Sequence, residues 1–142
     1  MDREHDLAAL FSRITRQLIA EEAPILAKHD VSMWEYSVLY CLARRDAETQ
    51  TALASAIGYD KTRLIRVLDA LQDRDLIERR PDSTDRRAHI VRLTKAGTRR
   101  FTAVQSDIRR MEERALSQLS SSESSALRST LNRLAREAAL EA

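Results

Sequence analysis

Residues 49–94 read TQTALASAIGYDKTRLIRVLDALQDRDLIERRPDSTDRRAHIVRLT, and the fold turns on how this stretch divides. Thr49 can cap a short helix carrying Leu53, Ala54 and Ile57, which Gly58 stops because glycine adopts the left-handed conformation without a steric cost. Asp60 can cap a second helix from Lys61 to about Arg74, in which Leu64, Leu68 and Leu71 share one face. Two helices joined by a glycine-containing turn make a helix-turn-helix unit. Two alternating runs follow, Leu76–Arg80 and His89–Leu93, separated by the turn formers Pro81, Asp82, Ser83 and Asp85, and this order predicts a hairpin. Thr94 can cap a long helix after it. The expected architecture is mainly α with a small β-hairpin wing, a winged helix-turn-helix lobe.

On the N-terminal side, Ser32 and Glu35 have capping-box spacing and open a helix with Val38, Leu39 and Leu42 on its apolar side. Before it, Leu7, Leu10, Phe11, Ile14 and Leu18 form an apolar stripe, and Pro24 is expected to kink or restart that helix. On the C-terminal side, Phe101, Val104, Ile108, Met111 and Ala115 alternate spacings of three and four, the pattern of a packing seam. Ser120 and Glu123 repeat the capping box ahead of Leu127, Leu131, Leu134 and Ala138. The chain is expected to be one domain over 1–142, with the DNA-binding lobe at 31–95 on a helical dimerisation region made by 1–30 and 96–142. A two-fold contact lets each apolar stripe cover its own copy, so a homodimer is expected.

The bulk composition agrees. A chain of 142 residues, 43% apolar and 32% charged, can bury one core. With no apolar run near membrane-spanning length and no secretory signal, it is expected to be soluble and cytoplasmic. Two glycines and two prolines argue against phosphate loops and multi-turn β architectures. Cys41 is alone, and His5, His29 and His89 lack ligand spacing, so no metal is expected. No nucleophile, base and orienting group form a recognisable set, so neither an enzyme nor a cofactor is expected. The net charge of +2 is unevenly spread: residues 59–100 hold 12 Lys/Arg against 7 Asp/Glu, concentrating positive charge where a polyanion can be met.

On the second helix of the pair, Thr62, Arg63 and Arg66 lie opposite the leucine stripe, with Lys61 beside them at the N-terminus. Arginine can fork onto guanine, threonine can meet a base edge or a thymine methyl, and lysine near a helix N-terminus suits a phosphate. In the hairpin turn, Thr84, Asp85, Arg86 and Arg87 form a tip slim enough for a minor groove, where Asp85 is expected to hold an arginine or the turn itself. Thr49, Gln50 and Thr51 open the preceding helix and are candidate phosphate contacts. Double-stranded DNA is the expected partner.

The run Asp85-Arg86-Arg87-Ala88-His89-Ile90-Val91-Arg92-Leu93-Thr94-Lys95-Ala96-Gly97 resembles the wing of the MarR (multiple antibiotic resistance regulator) family, with its Asp-x-Arg tip and a strand ending Leu-Thr-x-x-Gly. Val38-Leu39-Tyr40-Cys41-Leu42, the Leu53-Ala54 helix and Arg66-Val67-Leu68-Asp69-Ala70-Leu71 support the resemblance, which covers nearly the whole chain. It implies a dimeric winged helix-turn-helix transcription factor on a near-palindromic operator, usually a repressor released by a small phenolic or other ligand. Lys61, Thr62, Arg63 and Arg66 fall in the family's recognition helix, and Asp85 and Arg87 on its wing-tip pair. Where family members commonly carry glycine after that helix, this chain has Asp75, which can adopt the left-handed cap at modest cost. The family's ligand clefts lie where the dimer base meets the DNA lobe. Arg13, Trp34, Tyr36 and Tyr40 are the candidates here for holding a small aromatic or other apolar ligand, with simple packing of the aromatics as the alternative. Cys41, in an apolar run, is read as a buried structural residue. The competing function is an architectural or protein-interaction winged-helix protein without ligand response.

Overall fold

The computed structural model describes residues 6–45, 48–85 and 87–141. They fall into two compact units that meet at Ile108 and Arg109. The first contains α1 (Leu7–Lys28), α2 (Met33–Arg44), β1 (Glu48–Thr49), α3 (Gln50–Ile57), α4 (Lys61–Asp73), β2 (Ile77–Pro81), β3 (His89–Leu93) and the start of α5 (Lys95–Ala115). The second holds the end of α5 and α6 (Ser121–Glu141). The mainly helical architecture with a wing follows the sequence expectation.

The helix starts are where side-chain oxygens supply acceptors for orphan N–H groups. Ser32 and Glu35 form a reciprocal capping box, at 3.1 and 2.8 Å. Thr49 accepts the Ala52 N–H, Asp60 the Arg63 N–H and Thr94 the Gly97 N–H, each within 3.1 Å. In the second unit Ser120 and Glu123 repeat the box.

Three helix ends close alike. Asp30, Gly58 and Asp75 take positive φ, and the next residue's N–H reaches back to a carbonyl five residues earlier: Val31 to Leu26, Tyr59 to Ala54, Leu76 to Leu71. This is the Schellman closure, and two aspartates occupy positions that glycine usually takes. Arg74 then braces the closure of α1, donating to the Asp30 carbonyl and pairing with Glu35 at the start of α2. Pro24 does not restart α1 as expected; the helix runs through it to Lys28.

The sheet has the order β1-β3-β2 and is antiparallel throughout. Strand β1 was not expected from the sequence: two residues offer no alternation to read, and its pairing of Thr49 with Ile90 is made across the fold. The core of the first unit is Val38, Leu39, Leu42, Leu53, Leu64, Leu68, Leu71, Leu76, Ile77, Val91 and Val104, all within a few per cent of complete burial. The leucine face of α4 is therefore turned inward, which fixes the opposite face as its outer surface. In contrast, Leu7, Phe11 and Ile14 on α1 are 71%, 46% and 53% exposed. In the second unit Leu127, Leu131 and Leu134 on α6 are also exposed, and Arg128 pairs with Glu112 at 3.5 Å.

Candidate nucleic-acid interface and adjoining cavity

Because Leu64, Leu68 and Leu71 point into the core, Lys61, Thr62, Arg63 and Arg66 are carried outward, and all four are exposed. Asp60 orders the first turn through the Arg63 N–H. Lys61 donates to Thr51 Oγ1 at 3.0 Å, joining the starts of α3 and α4. The side chains of Arg63 and Arg66 have no hydrogen-bond or ion-pair partner among the described residues, which leaves both guanidinium forks available to an incoming acceptor. Of the other three candidates, Thr51 is exposed, while Thr49 and Gln50 are half-buried. The Thr49 hydroxyl already accepts the Ala52 N–H, and its backbone lies in the β1 pairing.

The wing is held to α4 by a residue that sequence reasoning passed over. Arg79 pairs with Val91 across the β2–β3 ladder, so the two side chains share one face of the sheet, the face packed on α4. Arg79 Nη2 lies 2.5 Å from Asp69 Oδ1 and its Nε donates to Gln72 Oε1 at 2.6 Å. Asp69 and Gln72 are three apart and therefore neighbours on one helix face, a signal the sequence does contain.

At the turn, Asp82 Oδ1 accepts both the N–H and the hydroxyl of Thr84, at 2.9 Å each. These hydrogen bonds, the backbone one first, hold the Asp82 carboxyl below its ordinary range. Asp85 accepts the Arg87 N–H at 3.0 Å, so it supports the turn itself. Arg87 is exposed at the tip, and Arg86 lies outside the described residues.

The four ligand candidates are not gathered at one place. Trp34 stacks on Tyr59, with centroids 3.9 Å apart and planes at 14°, fastening the start of α2 to the turn before α4. Tyr36 and Tyr40 instead cluster with Phe101 of α5, at 5.8 and 6.2 Å. Both tyrosines line a cavity of about 500 Å³ with Met33, Cys41, Arg44 and Ile57. Arg44 and Arg45, not Arg13, line it, and Arg44 donates to Tyr40 Oη at 2.7 Å and sits 5.5 Å from the ring centre. Arg13 is exposed on α1. Cys41 is half-buried rather than buried, and burial pushes its thiol up against the opposing pull of Arg45.

Comparison with known proteins is consistent with this geometry. Residues 31–89 match the MarR family model. A candidate transcriptional regulatory protein for the hcr operon of Thauera aromatica is 28% identical over 102 residues, 72% of this chain, and the match spans 61% of that relative's length. A crystal structure of MarR shares the fold with a TM-score of 0.83 and 28% identity, covering 97% of this chain and 94% of that one. A MepR variant from S. aureus, bound to an oligodeoxyribonucleotide, gives a TM-score of 0.64 at 25% identity over 94% of this chain and 99% of its own. Over residues 31–89 the chain is thus similar to the MarR family, and over nearly its whole length it shares the fold of the solved MarR structure.

Proposed function

We propose that this protein is a non-enzymatic transcriptional regulator that binds a near-palindromic DNA operator as a homodimer, represses a nearby gene, and is released by a small aromatic or other apolar ligand. The observation that carries the reading is the outer face of α4, where Arg63 and Arg66 have no side-chain partner among the described residues and stand beside Thr62, with the wing pinned to the same helix through Arg79. A helix with such a face fits a major groove, and a ribbon tip carrying Arg87 fits the adjoining minor groove. The oligonucleotide-bound MepR relative supports DNA as the partner.

In this reading residues 31–95 bind DNA in the bacterial cytoplasm, while 1–30 and 96–142 join two copies. The exposed apolar side chains of α1, and separately those of α6, support self-association, because a second copy would remove them from water. The cavity beside Tyr36, Tyr40, Arg44 and Arg45 supports ligand control: aromatic walls with two guanidinium groups suit an aromatic ring bearing an acidic group.

The test is selection and sequencing of genomic fragments bound at near-physiological salt. An enriched inverted repeat with half-sites about one helical turn apart is the expected result. Arg66→Ala should relax base preference at one position per half-site. Equal affinity for selected and scrambled duplexes would overturn the regulator reading in favour of an architectural role.

A further inference from the structure

On the outer face of α4 one residue does not belong to the polar set. Ile65 is 38% exposed, and among the described residues it is the one large apolar side chain exposed on that helix. Its neighbours one turn away on the surface are Lys61, Thr62 and Asp69, and Arg66 follows it directly. Helix propensity does not explain its presence, since a β-branched residue is a poor choice for a solvated helix position. Nor does packing, because the buried stripe is completed by Leu64, Leu68 and Leu71. The charge beside it is neutralised: the Asp69 carboxylate is engaged by Arg79. Ile65 is thus an apolar spot on a basic, groove-facing helix, with the nearest acidic group already paired.

We propose that Ile65 is a specificity-determining residue that packs on the 5-methyl group of a thymine in the major groove. Thymine is the base that presents a methyl there, and apolar contact is how it is read. The inference rests on the DNA-binding reading of α4 and adds a base identity to it: each operator half-site carries a thymine beside the position read by Arg66.

The experiment uses the full-length protein and the duplex recovered by genomic selection. Each thymine of one half-site is replaced singly by uracil, which deletes the 5-methyl and leaves the base-pairing edge unchanged. At one thymine the substitution should weaken wild-type binding about 4-fold, the worth of one buried methyl. Ile65→Ala should bind the parent duplex more weakly by a similar factor and show no further loss at that uracil, whereas Ile65→Val should retain the sensitivity. Ile65 is surface-exposed, so both variants are expected to fold, which a melting curve checks. Failure to enrich any motif would overturn the regulator reading and the inference with it. An enriched motif whose uracil profile is the same for wild type and Ile65→Ala, or whose half-site lacks thymine, would overturn the Ile65 assignment alone.

Discussion

Arg79 in the second strand and Asp69 on α4 are 2.5 Å apart, with Gln72 taking the remaining side of the same guanidinium. The contact neutralises an acidic charge on α4 and ties the wing to that helix. Asp69 is half exposed, so the pair adds only about 0.2–1 kcal/mol to stability. Arg79→Ala should therefore melt within a few degrees of wild type yet bind its operator about tenfold more weakly. Thermal melting and a binding isotherm on one preparation check this; a large loss of stability without loss of DNA affinity would contradict it.

The two glycines should respond very differently to alanine. A Cβ on Gly97 would lie 1.9 Å from the Leu76 carbonyl oxygen, a backbone atom that cannot swing aside as the end of a side chain could. Gly97→Ala is expected to cost about 2–4 kcal/mol. Gly58 sits at φ +66 with open space around its added Cβ, so Gly58→Ala should cost only the left-handed penalty, about 1–2 kcal/mol. Denaturant midpoints of the two variants should separate accordingly.

Asp107 on α5 ties down the end of α1. The His29 Nε2–H donates to it at 2.7 Å and the Lys28 ammonium at 3.3 Å, and these contacts, that of His29 first, hold its carboxyl below the ordinary range. A carboxyl lowered in the folded state contributes stability that is complete above its unfolded pKa of about 3.9 and is lost as the pH falls through the lower folded value. Asp107→Asn should be less stable than wild type at neutral pH, with the gap closing below the ordinary carboxylate range. Melting temperatures from neutral to strongly acid pH provide the check; parallel profiles would count against the assignment.

Cys41 borders the cavity yet is expected to be a slow thiol. Burial is the largest influence on it and favours the protonated form, while Arg45 and Arg44 pull the other way and Glu48 works with burial. The thiolate is the reactive species, so alkylation by iodoacetamide followed by mass spectrometry should be slower in the folded protein than in denaturant. Cys41→Ala should still bind the operator; rapid alkylation of the native protein would point instead to redox chemistry.

What the sequence made legible was local. Ser32, Thr49, Asp60, Thr94 and Ser120 announce helix starts because a cap and its partner lie within three residues, and each cap is present in the structure. Asp75 was readable as a left-handed cap only through the family resemblance, which has glycine there, whereas its twin Asp30 was passed over. Contacts made across the fold were not legible. The Trp34–Tyr59 stack, the pairing of β1 with β3, and the choice of Arg44 over Arg13 beside the tyrosines all depend on which helix faces meet. Arg79 is the intermediate case, since Asp69 and Gln72 mark a polar spot on α4 while only the β2 register shows what fills it.

Thr94 makes the junction after the wing a shared part. Its hydroxyl donates to the Asp75 carbonyl just after α4 and accepts the Gly97 N–H in the first turn of α5, while its own N–H bonds to the Leu76 carbonyl. One oxygen thus serves as the pivot of a lever: its short arm is the closure of α4 and its long arm is the beginning of α5. The first turn of α5 and the closure of α4 therefore cannot shift relative to each other without breaking one of the two hydrogen bonds that this oxygen makes.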